Sequence, residues 1–122
     1  MDKTELYLEF RKEIDKICVP EILQCVETIP IMEDGKQVGI LCVRDEGEWV
    51  YIDCLYIIPE YRRKGLARRE ILKWFKRQKT NDIRLHVINK NEIAYRFWTS
   101  IFKLDEIDWN YVDTLYRIRK VI

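Results

Sequence analysis

Only one histidine, four glycines and three prolines occur among the 122 residues, and no two cysteines form a CxxC pair. The single histidine and the dispersed Cys18, Cys25, Cys42 and Cys54 argue against a zinc site, which needs clustered nitrogen and sulfur ligands. Those cysteines sit in apolar surroundings, which suits reduced core thiols in a reducing compartment. No apolar run approaches the ~20 residues of a membrane-spanning helix. Met1-Asp2-Lys3-Thr4-Glu5 does not read as a signal peptide. The expectation is a cytoplasmic protein with neither metal nor membrane. Internal repeats, linkers and low-complexity stretches are also lacking, which points to one domain over residues 1–122.

What is present describes a folded chain, with 48% hydrophobic and 35% charged residues. Its charge is unevenly spread. Residues 1–60 carry 6 Lys/Arg against 14 Asp/Glu, and residues 61–122 carry 16 against 7. That asymmetry suggests an anionic ligand on the C-terminal half and a cationic one beside the N-terminal half, unless it only reflects helix surfaces.

Periodicity predicts a helix over Thr4–Ile17, with Thr4 as N-cap and Leu6, Phe10, Ile14 and Ile17 on one face. Leu6, Leu8 and Phe10 also alternate, so a short strand competes with it. A second helix is expected over Pro20–Thr28, closed by Pro30. Three strands follow as an antiparallel meander: Ile31–Glu33, a turn at Asp34-Gly35, Gln37–Arg44, a turn at Asp45–Glu48, then Trp49–Ile58. Beyond them the pattern gives a helix Leu66–Lys79, a strand Ile83–Ile88 and a helix Glu92–Ile101 with Ile93, Ala94, Phe97, Trp98 and Ile101 inward. Two tail strands, Glu106–Tyr111 and Thr114–Arg119, complete a mixed α/β, α+β-like order. A strand, crossover helix and strand make a parallel pair.

One stretch combines several chemical signals. Pro59 ends a strand, because it supplies no backbone donor and holds the preceding residue extended. Gly65 can turn with φ > 0 and expose the main chain to a ligand. Arg62, Arg63, Lys64 and Arg68 surround the start of the next helix, where N–H groups and the dipole favour phosphate. The order Pro59-Glu60-Tyr61-Arg62-x-x-Gly65-x-Ala67 resembles the acyl-CoA pyrophosphate loop of the GNAT superfamily of N-acetyltransferases. Asn91-x-x-Ala94-x-x-Phe97-Trp98 resembles a second motif of that family, with Trp98 where many members carry a tyrosine. The likeness covers roughly residues 31–102.

The resemblance implies a GNAT-like fold lacking its first strand, with strands Trp49–Ile58 and Ile83–Ile88 splayed around acetyl-CoA. Main-chain groups of Leu55, Tyr56 and Ile57 would pair with the pantetheine arm, and the amides from Arg63 through Gly65, Leu66 and Ala67 to Arg68 would hold the diphosphate. Arg62, Asn91, Phe97 and Trp98 complete the expected cofactor set. The implied reaction moves an acetyl group to a small-molecule or peptide amine. Asp53 is the candidate general base, against the reading of a substrate anchor or a solvated strand residue. Tyr95 could replace the acid lost at Trp98, since indole N–H is no useful acid. His86 and Cys54 are weaker candidates, a strand histidine and a core thiol being the plainer readings. Three other readings stay open: a CoA binder without catalysis, a structural interaction protein, and a nucleic-acid or acidic-partner module. The last would use the basic stretch 62–79, where nine Lys/Arg face Glu70 alone, although a solvated helix face is the plainer reading. Monomer and homodimer are both compatible with the sequence.

Overall fold

The computed structural model describes residues 27–122. The helix expected over Thr4–Ile17, most of the second helix, the missing first strand, and Cys18 and Cys25 lie outside the described residues. The elements are β1 (Glu27–Glu33), β2 (Lys36–Asp45), β3 (Val50–Ile57), a 3-10 turn Pro59–Tyr61, α1 (Leu66–Lys76), β4 (Ile83–Ile88), α2 (Glu92–Ile101), β5 (Phe102–Trp109) and β6 (Asp113–Val121). The described chain divides into two compact units: residues 27–44 with 53–79, and residues 45–52 with 80–122. Strand β3 belongs to both.

In the first unit the strand order is β1-β2-β3. Asp34 and Gly35 both adopt positive φ, 50° and 76°, which gives the tight two-residue turn whose twist matches a hairpin. Strand β1 is longer than its apolar core suggests. Thr28 stands opposite Cys42 and Pro30 opposite Ile40, so the segment expected to end a helix at Thr28 is already strand. Pro30 misled that reading. Among the described residues β1 has one strand neighbour, and an edge strand can forgo an N–H donor.

Ile31, Val38, Ile57 and Leu66 form the apolar centre of this unit, with Leu55, Ile58, Tyr61 and Ala67 packed against it. Gly39 is required there for steric reasons. A Cβ on it would stand 2.5 Å from the Tyr56 carbonyl oxygen and 2.6 Å from the Ile57 Cδ1. Helix α1 buries Leu66, Ile71 and Trp74. It ends at Lys76 rather than Lys79, because Arg77 N–H turns to the Trp74 carbonyl (3.0 Å) and Gln78 N–H to that of Phe75 (3.2 Å). Such i→i−3 bonds tighten and close a last turn.

In the second unit the order is β3-β4-β6-β5. Val50, Tyr51 and Ile52 run parallel to Ile83, Arg84 and Leu85, the pairing that the strand, helix, strand succession requires. Helix α2 buries Trp98 and Ile101, and Trp98 stacks on Phe102 with ring centroids 6.4 Å apart. Ile93, expected inward, is 83% exposed. It lies about a third of a turn off the stripe of Ala94, Trp98 and Ile101. Strand β5 begins at Phe102, directly where α2 ends, because buried Phe102 already pairs with Val121. At the head of β4, Asp82 accepts two hydrogen bonds from Arg84, from Nε and Nη2, both at 2.9 Å. Arg117 Nε lies 3.5 Å from the same carboxylate.

Two outcomes follow from this packing. Gly39→Ala forces the β2 backbone against a carbonyl that cannot swing aside, and urea denaturation should show a loss of at least about 2 kcal/mol. The hydrogen bonds from Arg84, aided by the charges of Arg84 and Arg117, outweigh burial and hold the Asp82 carboxyl below its ordinary value. A depressed folded pKa stabilises above the unfolded value and loses that contribution as pH falls through the folded one. Asp82→Asn should therefore destabilise evenly from about pH 5 to 8, with the difference from the parent shrinking below about pH 4 in a melting series.

Candidate functional site

In the first unit, the turn between β3 and α1 has an unusual backbone. Arg63 has φ 62° and Gly65 φ 78°, two left-handed residues separated by Lys64. A left-handed conformation costs a non-glycine residue about 1–2 kcal/mol, so Arg63 is held there by its surroundings. At Gly65 nothing lies within 4 Å of where a Cβ would stand, so its glycine is demanded by φ alone. Gly65 occupies the N-cap position, where a Ser, Thr, Asp or Asn side chain would ordinarily accept from the helix. No side chain caps α1, and no acid stands in its first turn. The first i→i−4 bond of the helix is Arg69 N–H to the Gly65 carbonyl, at 3.0 Å. Amides ahead of that bond have no acceptor within the helix. Alternating backbone conformations before such a start form a concavity suited to an anion.

The cations around this start differ in their engagement. Arg62 is turned back onto β3: its Nε donates to the Ile57 carbonyl at 2.7 Å, and its guanidinium lies 5.3 Å from the Tyr56 ring centre. It braces the strand end rather than adding mobile charge. Lys64 Nζ lies 5.1 Å from the Tyr61 ring, while Arg63 and Arg68 are exposed.

Strand β3 contains a feature that the sequence reading missed. Val50 N–H bonds the Asp82 carbonyl just ahead of β4, whereas Ile58 N–H bonds the Val38 carbonyl of β2. Along a regular strand, positions separated by an even number point their amides to the same side, so the alternation is broken once between them. Burial agrees, since Tyr56 and Ile57 are both buried in succession. The available signal was Gly39, because an isolated glycine inside a strand pattern marks a bulge or a close backbone approach. On this strand Leu55 is half-buried. Asp53 is largely buried, its Oδ1 3.5 Å from Arg44 Nη2. Cys54 is buried, as a core residue should be.

The second unit holds the other predicted residues. Asn91 caps α2: its Oδ1 accepts from Ala94 N–H at 3.0 Å. Phe97 and Trp98 pack edge to face at 5.0 Å, with Trp98 buried, so the indole belongs to the core of this unit. Tyr95 is 46% exposed, and its ring lies 6.1 Å from that of Tyr116. Both line a cavity of about 130 Å³ with Val87, Ile88, Asn89 and Glu92. Burial, reinforced by the negative charge that Tyr95 and Glu106 can carry, raises the Tyr116 pKa above its ordinary value. Tyr116 was not singled out from the sequence, because its partner lies on a different element. His86 alternates away from Val87 and stacks on Tyr51, centroids 5.6 Å apart, so it does not join this cavity. No group of three or more potential metal ligands occurs among the described residues. No helix among them is long and apolar enough to cross a membrane.

Comparison with known proteins places this geometry. The model of the acetyltransferase (GNAT) family matches residues 4–102. Among curated proteins, none matches. An acetyltransferase from Thermus thermophilus superposes with a TM-score of 0.66 at 18% identity, over 79% of this chain and 64% of that one. An acetyltransferase from Bacillus anthracis, solved with acetyl coenzyme A, gives 0.62 at 19% identity over 75% and 61%. A Bacillus subtilis acetyltransferase in complex with CoA gives 0.66 at 12% identity over 97% and 93%. The chain thus spans less than two thirds of the length of the first two and nearly all of the third. Identities this low establish the fold alone, whereas the family match extends over most of the sequence. Matched by the family model over residues 4–102, and with six strands and two helices among its described residues, the chain belongs to the GNAT family of acetyltransferases.

Proposed function

We propose that the protein binds acetyl-CoA through the turn from Arg62 to Arg68 and transfers the acetyl group to a primary amine. The observation that carries this reading is the start of α1: two left-handed residues, no capping side chain, no acid in the first turn, and exposed Arg63 and Lys64. Amides of Gly65, Leu66 and Ala67 supply donors for a diphosphate, and Arg68 supplies charge. Main-chain groups of Leu55, Tyr56 and Ile57 are assigned to the pantetheine arm, and Asn91, Phe97 and Trp98 to the cofactor by their match to the second motif.

The chemistry sets what the remaining groups must do. An alkyl ammonium, with a pKa near 10.4, must lose a proton before its nitrogen can attack a thioester carbonyl. Asp53 takes that proton, directly or through a water, and Arg44 orients its carboxylate. As the carbon–sulfur bond breaks, the departing thiolate takes a proton. Tyr95, a partly exposed residue, carries a hydroxyl assigned to supply it, and solvent is the other source. The acceptor class is a small-molecule or peptide amine, with a cationic one favoured by the acidic N-terminal half. A second reading has its own support. Buried Trp98 carries no hydroxyl, and a domain that binds the coenzyme without transferring its acyl group would tolerate that.

Acetyl-CoA should raise the melting temperature in a concentration-dependent way, by about 2.7 kcal/mol of stabilisation at a hundredfold excess over Kd. Gly65→Glu should abolish that shift, while Gly65→Asn, which tolerates left-handed φ, should retain part of it. No shift with the parent protein overturns coenzyme binding. Thiol release over a panel of amines then separates enzyme from binder. For an enzyme, Asp53→Asn should lower kcat by about a hundredfold or more with the coenzyme-induced shift intact.

A further inference from the structure

The nine Lys and Arg between Arg62 and Lys79 are all exposed, and they fall into separate groups. Four of them, Arg62, Arg63, Lys64 and Arg68, stand around the helix start assigned to the coenzyme. Lys73, Lys76, Arg77 and Lys79 do not. At 1.5 Å rise per residue, Lys73 is about 12 Å and Arg77 about 18 Å along the axis from Gly65, too far for a diphosphate seated at the helix start.

These later cations share a face. At 100° per residue, Arg69, Lys73 and Lys76 fall within about 60° of one another and at least about 100° from buried Ile71 and Trp74, and Arg77 follows at the C-terminal cap of α1. Arg69 is engaged with Glu33 at 3.4 Å, Glu70 at 3.1 Å and the Met32 carbonyl at 3.0 Å. The sole acid of the stretch, Glu70, is thereby used. Among the described residues no carboxylate pairs with Lys73, Lys76, Arg77 or Lys79.

The face also lacks what a protein partner would grip. None of the exposed large hydrophobic side chains lies between residues 62 and 79. Protein interfaces centre on apolar and aromatic side chains, with charge at the rim. A surface made only of lysine and arginine matches the phosphate backbone of nucleic acid, which is held by charge without reading bases. Exposed aromatics on which single-stranded bases could stack are missing from residues 62–79 too. We infer that the face of α1 carrying Lys73 and Lys76, continued by Arg77 and Lys79, docks the phosphate backbone of a base-paired nucleic acid. Such contact would hold the protein beside acceptors associated with RNA or DNA.

The test is fluorescence anisotropy with labelled RNA and DNA duplexes of about 20 base pairs across about 50 to 200 mM salt. Binding should weaken with salt along a log–log slope of about −3, and the relative affinities of the two duplexes tell RNA from DNA. Lys73→Glu/Lys76→Glu/Arg77→Glu should lose at least about tenfold in affinity at the lowest salt and flatten the slope. Its acetyl-CoA melting shift should stay as in the parent, which separates this surface from the coenzyme site. Lys73→Arg/Lys76→Arg should keep the affinity, and Lys73→Glu alone carries the same test if the triple variant folds poorly. Failure of the parent to bind either duplex, full binding by the charge-reversed variant, complete displacement by acetyl-CoA, or a preference for polyglutamate or single strands would each overturn the inference.

Discussion

A helix that begins without a side-chain cap, without an acid in its first turn and with cations at its entrance leaves its first amides without acceptors inside the helix. Helix α1 begins in this way. The deficit is local and electrostatic: main-chain donors without acceptors in the helix, a positive dipole end, and Arg63 and Lys64 adding charge of the same sign. An anion removes all three penalties together. The left-handed conformation costs energy at Arg63 but not at Gly65, and a bound anion would help to offset it. The coenzyme reading rests on this balance more than on any single side chain.

The rest of the first unit positions that helix start. Gly39 lets the Tyr56 carbonyl approach where any other residue would collide. Tyr56 and Ile57 are consequently buried in succession, and the strand changes the side to which its amides point. Arg62 then clamps the strand end through the Ile57 carbonyl. Residues that look like a uniform basic cluster thus have different duties. Arg62 braces β3, Arg69 ties α1 to β1 through Met32 and Glu33, and Lys73, Lys76 and Arg77 are exposed and pair with no carboxylate among the described residues.

In the second unit packing and chemistry compete for the same motif. Asn91 spends its side-chain oxygen on capping α2, and Trp98 is taken into the core with Phe97 and Phe102. The polar groups left on this helix include Glu92, Tyr95 and Arg96, and Tyr95 is the one set beside a second tyrosine. Partial burial of Tyr116, reinforced by the negative charge that Tyr95 and Glu106 can carry, raises the pKa of its hydroxyl above the ordinary value.

Much of this was legible along the chain, because it depends on neighbours in sequence. Helical spacing located α1 and α2, the Asp34-Gly35 pair fixed its hairpin, and strand β4 was read to the residue. Gly65 and the basic run ahead of it announced the turn by composition alone. Other features needed the folded chain. Pro30 inside an edge strand, the collision that reserves Gly39, the Asp53–Arg44 pair and the Tyr95–Tyr116 pair each join residues from different elements. Periodicity and turn chemistry report how a segment satisfies itself, and they are silent on which distant segment it meets. The sequence by itself therefore determined the elements and the anion-seeking turn. Only tertiary packing decided which of its charges were already spent, because pairing across elements depends on register and burial that no local pattern encodes.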